Sequence, residues 1–104
     1  MRNYAYVTLA TNSFFLKAAY ILQETFKKTN SPYPFIVMIP EVLKKDFWLK
    51  KIDSYRIIPI DEFKTDSIYR DTINKFYCYN YTEFEKIIFI DADMIFLENL
   101  DFLF

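Results

Sequence analysis

Four short apolar runs, each separated from the next by a helix-patterned or charged segment, constrain this chain more than any other feature. They are Tyr4-Ala-Tyr-Val-Thr-Leu-Ala10, Pro34-Phe-Ile-Val-Met-Ile-Pro40, Arg56-Ile-Ile-Pro-Ile60 and Lys86-Ile-Ile-Phe-Ile90. Runs with so few polar interruptions read as strands buried on both faces, which favours parallel over antiparallel pairing. After the first run, Thr11-Asn12-Ser13 supplies N-cap chemistry. Phe15, Ala18, Ala19, Leu22 and Phe26 then recur at helical spacing. Lys27 and Lys28 fall in the last turn, where the helix dipole favours cations. Glu41 to Ile52 reads as a second helix, with Val42, Leu43, Phe47 and Trp48 toward the core. Asp61 to Arg70 reads as a charged loop, and Asp71 to Phe84 as a third helix rich in aromatic residues. Strand and helix in alternation imply an α/β fold, a mostly parallel sheet with helices on both faces.

Residues 1–104 are enough for a single domain with a modest core. The 53% hydrophobic and 26% charged content is that of a globular chain rather than a disordered one. A formal net charge of -1 leaves no basic field for nucleic acid. The sequence has no Gly and no His. A glycine-rich phosphate loop, an imidazole base and a His metal ligand are therefore excluded within it. The one cysteine, Cys78, lies in an aromatic stretch and reads as a small core hydrophobe. No uncharged apolar run approaches the ~20 residues of a membrane helix. The apolar stretch Tyr4 to Ala10 is too short for a secretory leader and lacks a small-residue cleavage site, so a cytoplasmic protein is expected. The abundance of Phe, Tyr, Ile, Lys and Asn, residues with AT-rich codons, suggests an AT-rich genome such as that of a large DNA virus or a protist.

The chemistry concentrates in Lys86-Ile-Ile-Phe-Ile-Asp-Ala-Asp-Met-Ile-Phe-Leu97. Asp91 and Asp93 stand at the carboxyl end of the fourth strand, where open α/β sheets bind ligands. Two carboxylates this close repel unless a cation compensates them. A hard divalent ion bound to a diphosphate meets that need. Asn99 and Asp101 read as a turn and cap after the motif. The closing Asp101-Phe-Leu-Phe104 is apolar, and the fourth strand is expected at a sheet edge. Both suggest an incomplete unit.

Taken together, Tyr4-Ala-Tyr-Val-Thr-Leu-Ala-Thr-Asn12, Lys75, and Lys86 to Phe104 with Phe-Ile-Asp-Ala-Asp-Met and Asn99-Leu-Asp101 resemble glycosyltransferase family 8, its glycogenin-like branch. The resemblance follows the whole chain in order but only the amino-terminal, nucleotide-sugar-binding half of a family enzyme. It implies a GT-A (Rossmann-like) fold, truncated here. It also implies a UDP-sugar donor, Mn²⁺, and transfer of a hexosyl group such as glucose with retention of configuration. Carried over by residue, Leu9, Thr11, Asn12 and Phe15 would contact uridine. Phe15 replaces a frequent family Tyr, keeping the ring and losing the hydroxyl. Lys75 would be a further nucleotide-sugar contact, and Ala92 would lie against the nucleotide. Asp91 and Asp93 would hold the metal. Arg70 would stand for a family Arg, although it lies nearer to Lys75 than the family pattern has it. Family enzymes take a third metal ligand, a His, and their acceptor site from the missing half, so no catalytic residue is assigned. The acceptor is open, and homodimerisation is an expectation of the resemblance alone.

Two other readings compete. One is a catalytically inactive, truncated module that binds a nucleotide-sugar or a partner protein. The other is a haloacid-dehalogenase-type phosphohydrolase, which also sets Asp-x-Asp after a buried strand. In that family the motif opens the catalytic domain, whereas here little sequence follows Asp93.

Overall fold

The structure, a computed structural model, describes residues 3–58, 78 and 81–104. Four strands form one sheet: β1 Tyr4–Leu9, β2 Phe35–Pro40, β3 Tyr55–Ile58 and β4 Lys86–Phe89, in the order β3-β2-β1-β4. All three pairings are parallel, as the apolar runs predict. Registers place Val7 beside Ile36 and Phe89, and Met38 beside Arg56. The fold is a small Rossmann-like α/β unit.

The period of two sorts the strand residues between the faces. Tyr6, Ala10, Phe35, Val37 and Ile39 join the core beneath helix α1, Ser13–Lys27. Ala5, Val7, Leu9, Ile36, Met38 and Ile58 form the opposite core, closed by Cys78 with Tyr81 and Phe84 against it. Cys78 is fully buried, as read from its setting, and burial pushes its thiol up from the ordinary range. The expected third helix, Asp71 to Phe84, lies mostly outside the described residues, as does the loop Asp61 to Arg70.

Helix α1 starts where the polar triplet predicts. Asn12 is extended, and its Oδ1 accepts from the Phe15 amide at 2.9 Å. Leu16, Ala19, Leu22 and Phe26 carry the buried stripe. Phe15, expected within that stripe, is 36% exposed, and Leu16 takes the inward place. Beyond the helix, Asn30 adopts the left-handed conformation with φ 58°. In a chain without glycine, Asn is the residue best able to take that role.

The second helix is corrected. Glu41 to Ile52 forms two short 3₁₀ segments, Glu41–Leu43 and Phe47–Lys51. Asp46 divides them: its backbone is extended and its carboxylate accepts from the Trp48 amide at 2.9 Å. A short acidic side chain that bonds the backbone two residues on competes with helix propagation. The inward residues are consequently Leu43 and Leu49, while Val42 is 82% and Phe47 64% exposed. A second correction concerns β4. It is an edge strand among the described residues, as expected, but its side chains are exposed or half-buried rather than buried on both faces.

Candidate functional site

Strand order defines the site. The chain runs from β1 to β2 to β3 in one direction across the sheet, then returns to lay β4 on the other side of β1. The connections leaving the carboxyl ends of the neighbouring strands β1 and β4 lie side by side at this reversal of strand order, the position at which α/β sheets bind ligands in a crevice. One wall is the β1–α1 connection with Leu9, Thr11 and Asn12. The other is the connection after β4 with Asp91, Ala92 and Asp93. Pairing of Tyr4 with Lys86 through Val7 with Phe89 brings the walls level, and the Ile90 amide extends the ladder by donating to the Val7 carbonyl at 2.9 Å.

On the β4 side the chain turns at once. The Met94 amide donates to the Asp91 carbonyl at 3.1 Å, closing a turn around Ala92 and Asp93. Ala92 is buried and shares an apolar cluster with Ala10 and Leu16, which seats the turn against the opposite wall. Asp91 and Asp93 are exposed on either side of it. The alternation of acid, alanine and acid thus has a local cause: a small apolar residue anchors the turn and leaves two carboxylates at the surface.

On the β1 side Leu9 is buried, Thr11 half-buried and Asn12 exposed. The Asn12 side chain is committed to capping α1, but an amide oxygen has a second lone pair and the nitrogen two donors. Phe15 lies on the first turn of α1, off the core, with its ring edge-on to that of Phe14 at 5.5 Å. Of the residues expected to share a site, Leu9, Thr11 and Asn12 follow β1 and Asp91, Ala92 and Asp93 follow its neighbour β4, so both groups lie at the carboxyl ends of adjacent strands; Phe15 stands on the first turn of α1, and Leu9 packs in the core opposite to that of Ala92. Arg70 and Lys75 lie outside the described residues.

Two exposed carboxylates are hard oxygen donors, suited to a hard divalent cation that completes its shell with phosphate oxygens and water. Among the described residues no group of three or more His, Cys, Asp or Glu side chains is placed to hold a metal. The donor set fits a cation shared with a bound anion better than one caged by protein.

Sequence reasoning missed how the segment after Asp93 is held. Tyr6 donates its hydroxyl proton to Asp101 Oδ1 at 2.5 Å, and Ser31 Oγ lies 2.8 Å from the same oxygen. Burial, then the bond to Asp101, raises the Tyr6 phenol above its ordinary pKa of 10.0. The one legible signal was Asp101 within Asn99-Leu-Asp101. Its turn role holds, since its amide donates to Asn99 Oδ1 at 2.7 Å, but its partners on β1 and before β2 could not be read.

No family model matches the chain. Individual proteins do. The chain is 32% identical over 115 aligned positions to Uncharacterized protein R707 of Acanthamoeba polyphaga mimivirus, covering 100% of this chain and 41% of that protein. It is 31% identical over 112 positions to Glycogenin-2 of Homo sapiens, covering 96% of this chain and 22% of that one. It is 28% identical over 109 positions to Putative UDP-glucuronate:xylan alpha-glucuronosyltransferase 3 of Arabidopsis thaliana, at 96% and 17% coverage. The chain spans less than half the length of each of these relatives. A Rossmann-like unit with carboxylates at its switch point is matched from end to end by glycosyltransferases. The chain is a glycogenin-like homologue of glycosyltransferase family 8.

Proposed function

We propose that this chain carries the donor site of a glycosyltransferase that takes a hexosyl group, glucose by its glycogenin-like character, from a UDP-sugar with retention of configuration. The observation that carries the reading is the juxtaposition, across the β1/β4 crevice, of the Leu9–Asn12 wall with the Asp91-Ala92-Asp93 turn. Each residue has a task that suits its setting. Thr11 and Asn12 offer hydroxyl and amide groups to the base and ribose. Phe15 presents a ring for the uracil to stack on, at no cost to the core. Ala92 lets the nucleotide approach the turn closely, since its side chain is a methyl group directed inward. Asp91 and Asp93 hold a divalent cation, Mn²⁺ by resemblance, against the diphosphate. Such a cation, when bound, stabilises the charge that gathers on the departing diphosphate. Lys75 and Arg70 are proposed as further cationic contacts to the donor. The acceptor is outside what these residues describe, and homodimerisation remains part of the proposal. The likeness to a mimivirus protein supports a viral origin.

The absence of His from the sequence, with no third carboxylate grouped with the turn among the described residues, favours a second reading, in which the chain binds the donor without transferring it. Calorimetric titration of the 104-residue chain with UDP-glucose, with and without Mn²⁺, tests the donor site. Saturable binding that requires Mn²⁺ and is lost in Asp93→Ala is expected. A folded chain that binds nothing, or a variant that binds as the parent does, overturns the assignment. Release of glucose or its transfer to an added glucan then separates a transferase from a binding module.

A further inference from the structure

The carboxylate turn is anchored before Asp91 by the β4 ladder. After Asp93 no strand follows directly among the described residues, and the chain instead crosses the carboxyl-terminal part of α1. Three polar ties hold it there. The Phe96 amide donates to Thr25 Oγ1 at 2.9 Å. Asn99 Nδ2 donates to the Thr29 carbonyl at 3.3 Å. The Asp101 carboxylate accepts from the hydroxyls of Tyr6 and Ser31. Ring contacts reinforce them: Phe96 packs on Tyr6, Phe26 and Phe35, and Phe104 stacks on Tyr4 at 4.6 Å.

Asp101 differs from the other ties in what it reaches. Tyr6 belongs to β1, the strand that delivers Leu9 and Thr11 to the crevice, whereas the hydrogen bonds of Phe96 and Asn99 go to α1 and the loop that follows it, and Phe96 meets β1 through ring packing alone. Asp101 thus joins the segment that carries the carboxylate turn directly to the strand that carries the opposite wall. Bonds from neutral donors to a carboxylate are roughly twice as strong as neutral pairs. The Tyr6 side chain that makes one of them is fully buried and packed on Phe26, Phe96 and Phe104, so its hydroxyl has one fixed direction.

We propose that Asp101 is a positioning residue for the donor site: by clasping Tyr6 and Ser31 it fixes the spacing between the Asp91–Asp93 turn and the β1 wall. It touches neither nucleotide nor cation. The proposal rests on the donor-site reading, and its test separates the two.

The variants are Asp101→Asn, which keeps the shape and removes the charge, and Tyr6→Phe with Ser31→Ala, which keeps the carboxylate and removes its donors. Amide hydrogen exchange on the full chain is read at Met94 and Phe96, with Val37 and Ile39 in the central strands as internal reference. Exchange at Met94 and Phe96 is expected to rise about tenfold in both variants while the reference amides stay unchanged, the pattern of local rather than global opening. The Mn²⁺-supported affinity for UDP is expected to fall by a similar factor. Parental exchange at Met94 and Phe96, or a uniform rise that includes Val37 and Ile39, overturns the proposal. A parent chain that fails to bind UDP refutes the donor site instead, a result read from the titration and independent of the exchange data.

Discussion

Gln23 offers a sharp test of how α1 is fixed to the sheet. It is 2% exposed on an otherwise apolar helix face. Its Nε2 donates to the Lys51 carbonyl at 3.0 Å, and its Oε1 accepts from the Asp53 amide at 2.8 Å. One side chain thus satisfies a donor and an acceptor of the segment that leads into β3, where the second 3₁₀ segment ends. Each such bond contributes about 1 kcal/mol net, and both backbone partners lie on exposed residues where water returns, which keeps the cost near 2 kcal/mol for the pair. Gln23→Met retains most of the stem and loses only the bonds, so a loss of about 2 kcal/mol is expected. Gln23→Ala also leaves a void beside Leu22 and Phe26, adding about 1 kcal/mol. Urea unfolding monitored at the single Trp48 measures both, and with a slope of about 1–3 kcal/mol per molar the midpoints separate readily. A Gln23→Met variant within about 0.5 kcal/mol of the parent refutes the argument that these two bonds tie the helix to the β3 lead, since that is the scatter of neutral surface changes.

Alkaline stability follows from Tyr6. Its folded pKa is raised by burial and by Asp101, so the unfolded chain loses that proton first, and stability present below about pH 10 is lost as pH rises further; the melting temperature is expected to fall above pH 10, less steeply in Tyr6→Phe. Burial raises the Cys78 thiol, so a thiol reagent at neutral pH is expected to label the native chain far more slowly than the urea-unfolded one; equal rates would contradict its place in the core. Asn12→Ala is expected to destabilise the chain by about 1 kcal/mol through loss of the α1 cap, and Asn12→Ser to recover most of it, both measured by urea unfolding.

The strands were legible because a short continuous apolar run bounded by polar residues has few other uses than a buried strand. All four occur within a residue or two of their predicted starts, and their pairing is parallel as continuous apolar runs lead one to expect. The crevice was legible in part: Asp91 and Asp93 announce themselves as paired carboxylates after a strand, and Asn12 as a cap. What sets the two segments on adjacent strands is the return of β4 to the free side of β1, a tertiary event with no local signature. Burial was harder to judge than pattern. Lys86 to Ile90 is apolar throughout, yet lies at an edge and is only partly covered. Phe15 and Leu16 are adjacent and equally apolar, and periodicity alone chose the wrong one for the core. The second helix failed for a local reason, since the Asp46 side chain recaptures the backbone in the middle of an adequate helical stripe. Gln23 and the Asp101 clasp were invisible because a polar residue reads as solvated until its partner is known. Tyr6 and Asp101 lie 95 residues apart.

The account stands on the β1/β4 crevice being a cation-assisted nucleotide-sugar site, and paramagnetic broadening of amide resonances by Mn²⁺ in the presence of UDP tests it most directly. The account predicts broadening confined to Leu9–Asn12 and Asp91–Met94, dependent on UDP and abolished by Asp91→Asn with Asp93→Asn. Broadening centred on the acidic residues near the 3₁₀ segments, Glu41 and Asp46, or none at all from a folded chain saturated with UDP, would contradict it.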